Sequence, residues 1–371
     1  MKIYDTLARD KVELTTRELG KLSMYVCGPT VYDVPHVGHG RTAVVFDVVR
    51  RYLEWCGIDV TYVRNITDIE DKIIARAARE GSTETEIAQR YETLERDPLD
   101  RLGVRRPDHV PHATEYVEPM LELIGELVVA DHAYVIEGAG VYFDTASFPS
   151  YGALPHRTLA QLQESAGARV EIDEAKRNPM DFALWKAAKP DEPAWESSFG
   201  PGRPGWHIEC SAMSLRLLGE GFDLHGAGDD LVFPHNENER AQSEAAGHAF
   251  ARHWIHSGMV IIGGDKMAKS AGNFTTLAEA LDTHGPRAFR LAVLQTQYRT
   301  HGELGAPELD AARTTVARLD ALVRRARAAG VEVDGEVDPA TVDAFRAALE
   351  DDFNTPAARA SIFDAVARAN A

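Results

Sequence analysis

The stretch from Met24 to Arg41 constrains this chain more than any other. An apolar run into Cys27 reads as a buried strand, Gly28 and Pro29 interrupt it, and Ala43 to Trp55 has helical spacing with Gly57 as its stop. The order then repeats. Val60 to Ile66 is a second strand by its β-branched and aromatic content, and Ile73 to Glu80 is helical. Strand and helix in alternation predict a parallel sheet, whose ligands gather at the carboxyl ends of the strands. Cys27 stands at such an end. His36 and His39 follow it at a helix start, where unpaired backbone N–H groups favour anions and phosphate above all.

The alternation lapses further on. Glu84 to Leu102 and Thr114 to Val129 have helical spacing, with Gly103, Pro107 and Pro111 marking a loop between them. Short strands then run from Tyr134 to Tyr151 around Gly138, Gly140 and Pro149, Gln161 to Asn178 is polar without period, and a proline-rich approach leads to Trp206. We expect 121–204 to be an insertion that splits a nucleotide-binding domain into halves at 1–120 and 205–255. In the second half Phe222 to His225 reads as a strand and Gly226 to Asp230 as its closing turn. A helix from Pro234 would put His235 and Glu239, at i and i+4, on one face. The next region, 256–306, holds the apolar Val260 to Ile262 and a glycine-bounded loop, Gly263 to Gly272, with Lys266 and Lys269 in a chain poor in lysine. From Glu308 the pattern is all-helical, making 307–371 a helical domain. The fold class is therefore α/β: a Rossmann-like parallel sheet split by an insertion and followed by an α-helical domain.

At 371 residues, 44% hydrophobic and 26% charged, the chain suits a globular protein of two or three domains. No apolar run approaches the roughly 18 to 20 residues of a membrane helix, and Met1 opens without a basic-then-apolar signal, so the expected address is the cytoplasm. Cys27, Cys56 and Cys210 are too scattered for a disulfide framework and read as reduced thiols or metal ligands, with Cys56 as core filler. A net charge of -18 argues against indiscriminate nucleic-acid binding and leaves room for a local basic groove.

Taken singly, these residues favour bland roles: a strand-end cysteine is commonly core, and a lysine in a glycine-rich loop is commonly solvated. Together they form ordered motifs. Cys27-Gly-Pro-Thr-Val-Tyr-Asp before His36-Val-Gly-His resembles the HIGH signature of class I aminoacyl-tRNA synthetases in the form used by cysteinyl-tRNA synthetases. Trp206-His-Ile-Glu-Cys-Ser-Ala-Met, Phe233-Pro-His-Asn-Glu-Asn-Glu and the KMSKS-like Lys266-Met-Ala-Lys-Ser extend the resemblance in order over about residues 20 to 300.

The resemblance implies a site for one Zn²⁺ at Cys27, Cys210, His235 and Glu239. It implies an ATP site, with Mg²⁺, at His36, His39, Lys266 and Lys269, and a ribose contact at Gly228 to Asp230. Thr67 and Trp206 match positions lining the amino-acid pocket, and His225 is a further candidate beside the turn. The implied reaction forms cysteinyl-adenylate from L-cysteine and ATP and transfers cysteine to tRNA(Cys), in a monomer with no membrane partner. Zinc suits that task, because it takes sulfur as thiolate and leaves a serine hydroxyl poorly satisfied, whereas an apolar pocket separates near-isosteres badly.

Some features depart from the pattern: Asn236 replaces a histidine, Ala268 a serine and His112 an arginine, and the chain ends within helices before any anticodon-binding module. They keep two other functions open, an ATP-dependent ligase joining cysteine to a small amine, as in the related mycothiol-pathway enzyme, and a non-catalytic RNA-binding paralogue. Arg313, Arg318, Arg324, Arg325 and Arg327 on one helix suit RNA phosphates or a solvated face.

Overall fold

The computed structural model describes residues 1–166, 175–267, 274–331 and 337–370. The chain opens with a hairpin, β1 (Lys2–Asp5) and β2 (Asp10–Glu13), and continues as β3 (Lys21–Val26), α1 (Val37–Trp55), β4 (Asp59–Arg64), α2 (Asp71–Glu80) and α3 (Glu84–Arg101). Next, α4 (Val117–Val129) leads into β5 (Ala133–Ile136), β6 (Gly140–Phe143), α5 (Leu159–Ala166), β7 (Phe182–Ala187) and β8 (Gly202–Pro204). The first fold resumes with α6 (Trp206–Leu218), β9 (Leu224–Gly228), α7 (Glu237–Ala245) and β10 (His253–Ser257). A smaller unit follows: β11 (Val260–Ile262), β12 (Asp265–Lys266), α8 (Leu277–His284), α9 (Pro286–Val293) and β13 (Gly302–Glu303). Helices α10 (Ala306–Ala328), α11 (Pro339–Glu350) and α12 (Thr355–Asn370) complete the order.

The central sheet is wholly parallel, in the order β10-β9-β3-β4. β3 lies inside it and is buried from Leu22 to Val26, which is why its sequence is a continuous apolar run without alternation. Helix α1 covers one face with Val44, Phe46, Val49 and Leu53. A second core, from Tyr25 and Cys27 through Met120, Ile124, Trp185, Ile208 and Trp254, joins the other face to α4, α6 and the inserted strands. Those strands form their own antiparallel sheet, β5-β6-β7-β8, so the fold is α/β with an antiparallel excursion between its parallel strands.

The structure differs from the expected elements where the sequence marks glycine as a turn. β9 runs through Gly226-Ala227-Gly228, pairing Ala227 with His256 and Ser257 with Gly228. A Cβ at Gly226 would lie 2.3 Å from the Phe46 ring, so this glycine admits the covering helix and does not bend the chain. His235 stands in a wide turn, Val232–Asn236, and α7 begins only at Glu237, because Phe233 holds extended φ/ψ values that no helix accepts. α1 starts at Val37, before the expected Ala43, since a capping box offsets the cost of Gly38 and Gly40. β10 has no apolar alternation in His-Trp-Ile-His-Ser and so carries no strand signal, although all five residues are buried. Among the described residues no helix is long and apolar enough to cross a membrane.

Candidate metal centre and nucleotide site

Cys27 directly follows β3 and Cys210 lies on the second turn of α6, while His235 and Glu239 flank the start of α7. All four are buried, and their ligand atoms lie within 4.8 Å of one another. Two sulfurs, an imidazole nitrogen and a carboxylate oxygen form a donor set that suits zinc. His235 turns Nε2 to Glu239 Oε1 at 3.1 Å, and the Cys27 sulfur lies 3.5 Å from the same oxygen.

A ring of buried polar groups fixes these donors. His225 Nε2 meets Glu239 Oε2 at 2.7 Å and its ring stacks on Trp254 at 4.3 Å. Asn236 Nδ2 donates to Glu239 Oε1 at 2.8 Å and to Cys27 Sγ at 3.4 Å. Its Oδ1 accepts from His256 Nε2 at 2.9 Å, and His256 Nδ1 lies 2.7 Å from the Thr6 hydroxyl. His207 Nδ1 sits 3.0 Å from His235 Nδ1, on the side away from Glu239, and Trp206 stacks on the His235 ring at 4.4 Å. The amide of Asn236 thus reaches a sulfur and a carboxylate at once, so the departure from the second histidine leaves the donor set held.

The electrostatics favour the anionic forms of Glu239 and Cys210. Burial opposes ionisation of Glu239, but His225 and His235 outweigh it and hold the carboxyl at about 2. Burial likewise opposes the Cys210 thiolate, yet a hydrogen bond from Cys27 and the nearby His235 draw Cys210 down to about 6. Burial and the proton shared with Cys210 push the Cys27 thiol well up.

Thr67 and Trp206 border this centre. The Thr67 hydroxyl donates to Glu209 Oε2 at 3.0 Å and accepts from Asn65 Nδ2 at 3.3 Å, and Asn65 Oδ1 takes the Gly28 N–H at 2.7 Å. Gly28 permits that join: a Cβ there would lie 1.6 Å from the Asn65 carbonyl oxygen. Burial and neighbouring Cys210 push the Glu209 carboxyl well up.

The histidine pair His36 and His39 follows β3 on the way into α1. His36 is the N-cap of α1, and its Nδ1 accepts from Gly38 N–H at 3.1 Å. His39 Nδ1 accepts from His36 N–H at 3.2 Å, and the two rings stack at 3.9 Å. With Nδ1 an acceptor in both rings, each carries its proton on Nε2 and offers a neutral N–H donor. Burial and the neighbouring His36 lower His39 to about 3, which keeps it neutral. Gly228 ends β9, and exposed Asp230 follows in a short 3₁₀ turn, its Oδ1 2.6 Å from where a Gly228 Cβ would stand. Lys266 is in β12, opposite Ile261, and Met267 beside it reaches within 4.0 Å of the Cβ position of Gly38. Lys269 lies outside the described residues.

Sequence reasoning missed His207, His256, Asn65 and Glu209. Of these only His207 and Glu209 stood within a motif already singled out.

The sequence profile described as the class I (C) tRNA synthetase catalytic domain matches residues 13–314, and that of the DALR domain matches residues 344–371. The chain belongs to the cysteinyl family of class I tRNA synthetases. Among its relatives, a cysteine–tRNA ligase of Carboxydothermus hydrogenoformans is 49% identical over 99% of the chain and 80% of its own length. One from Halorhodospira halophila is 50% identical over 100% of the chain and 79% of its own length. The fold extends beyond the family: a methionyl-tRNA synthetase of Mycobacterium tuberculosis with methionyl-adenylate superposes at a TM-score of 0.69 and 16% identity, over 94% of this chain and 82% of that one.

Proposed function

We propose that the chain activates L-cysteine with ATP and passes it to the terminal adenosine of tRNA(Cys). In the first step a cysteine carboxylate oxygen attacks the α-phosphorus, the bond to the β-phosphate breaks, and pyrophosphate leaves. In the second a ribose hydroxyl of the tRNA attacks the activated carbonyl and AMP departs. The observation that carries the reading is the convergence of Cys27, Cys210, His235 and Glu239, from three separate parts of the sequence, into one buried donor set. Those four residues would hold Zn²⁺, which when bound supplies a soft acceptor for a substrate thiolate.

The chain's own residues do the rest. Asn236, His225 and His207 hold the ligands in place, and Trp206 closes the pocket over the His235 ring. His36 and His39 present Nε2–H donors beside the α1 N-terminus, where charge grows on the departing pyrophosphate. Lys266 and Lys269 add cationic donors, Mg²⁺ accompanies the nucleotide, and Gly228 with Asp230 takes the ribose hydroxyls. Thr67 borders the amino-acid pocket, and Arg313, Arg318, Arg324, Arg325 and Arg327, all exposed on α10, offer phosphate contacts to the RNA.

The test is ATP–pyrophosphate exchange run beside charging of tRNA(Cys). Cysteine-dependent exchange with charging supports the reading. Exchange without charging favours a small-amine acceptor or a truncated synthetase, and no exchange favours a silent RNA-binding role.

A further inference from the structure

A second buried polar assembly lies beside the nucleotide site. Arg41, 3% exposed and two residues past His39 on α1, donates to three backbone carbonyls. Nη1 reaches Met259 O at 2.8 Å, and Nη2 reaches Tyr298 O at 3.3 Å and also Thr300 O. No carboxylate among the described residues pairs with it. A buried guanidinium without a counter-charge is a costly way to fill space, so its use lies in where it fixes those carbonyls.

They belong to two segments that frame the strand pair bearing Lys266. Met259 precedes β11, which pairs with β12 through Ile261 and Lys266. The segment from Tyr298 leads into β13, which pairs with Val260 and Ile261 on the other edge. Gly258 N–H meets Tyr298 O at 2.7 Å, and a Cβ at Gly258 would lie 2.4 Å from Thr300 O, so the two segments touch at backbone distance.

The outer end of this segment is held in turn by Asp352, which is 0% exposed, at the junction of α11 and α12. Its Oδ1 accepts from Tyr298 OH and Tyr4 N–H, both at 2.8 Å; its Oδ2 accepts from Arg299 Nε at 2.8 Å and Gln297 Nε2 at 3.0 Å. Asp352 and Phe353 hold φ values of 64° and 46°, a left-handed pair that persists only where its surroundings demand it.

We infer that Arg41 and Asp352 are positioning residues of one clamp. Arg41 sets the distance between the α1 start with His36 and His39 and the strand pair with Lys266, and Asp352 ties that distance to the seat of the C-terminal helices. The functional half of this inference rests on the ATP site proposed above; the structural half does not.

The experiment uses the full chain with Arg41→Lys, Asp352→Asn and the milder Tyr298→Phe, which keeps the ring and loses only the hydroxyl donation to Asp352. Hydrogen exchange reads the clamp without reference to ATP. The amides of Gly258 and Gly302 exchange faster in each folded variant, and unchanged protection overturns the inference. Cysteine-dependent ATP–pyrophosphate exchange reads its effect. Arg41→Lys lowers kcat by about tenfold to a hundredfold at unchanged KM for cysteine and unchanged zinc content. In a Lys266→Ala background the same substitution costs less than about twofold more, because both act through one spacing. Losses that multiply overturn the link to the nucleotide site. Wild-type chain without cysteine-dependent exchange, or Lys266→Ala without effect, overturns the ATP-site reading on which the functional half stands.

Discussion

At the scale of single residues, Asn236 bears the sharpest expectation. Its amide donates to both a sulfur and a carboxylate of the donor set and cannot itself titrate. Asn236→Leu keeps the bulk and removes the donor, so zinc affinity falls by about tenfold to a hundredfold, read by chelator competition; unchanged affinity contradicts the role given to the amide. His39 makes a pH prediction. Its folded pKa, about 3, lies below the roughly 6.5 of an unfolded chain. Between those values the unfolded state binds the extra proton, so stability is full above about pH 6.5 and falls as pH drops towards 3. Urea unfolding at several pH values shows a shallower acid loss in His39→Asn, and an identical slope contradicts the assignment. The four donors were legible as residue types in motifs, but their meeting came only from the family resemblance: periodicity places His235 and Glu239 near each other and says nothing of Cys27 and Cys210. His256 was invisible for a related reason, since its function comes from facing Asn236 across the fold and its strand has no apolar pattern.

At the scale of elements, β3 and α1 followed from sequence because burial on both sides leaves an uninterrupted apolar run and a covering helix leaves a 3.6-residue period, while the edge strand β4 followed from its β-branched and aromatic content. The glycines misled. Gly226 and Gly228 look like a turn, yet Gly226 is there to let Phe46 approach the strand. Gly28 is tighter still, its missing Cβ lying on the Asn65 carbonyl where β3 and β4 end. Gly28→Ala forces those ends apart and costs about 3 kcal/mol or more in urea unfolding, at the upper limit of ordinary overpacking because backbone cannot repack. It also lowers zinc affinity, since Cys27 moves with the strand end. A variant with wild-type stability and metal content contradicts the close approach.

At the scale of the whole molecule, the acidic chain has to confine RNA contact to local basic surface, and α10 carries five exposed arginines against a net charge of -18. With about two phosphates neutralised, KM for tRNA rises roughly tenfold between 50 and 200 mM salt while cysteine-dependent exchange hardly changes. Equal salt dependence of both steps contradicts that division. The central claim is that one buried donor set, drawn together from distant stretches, reads the substrate's sulfur. Its most direct test replaces the metal with Co²⁺ and follows the sulfur-to-cobalt charge-transfer band as amino acids are added. The account predicts that cysteine strengthens the band while serine leaves it unchanged; a band indifferent to cysteine contradicts it.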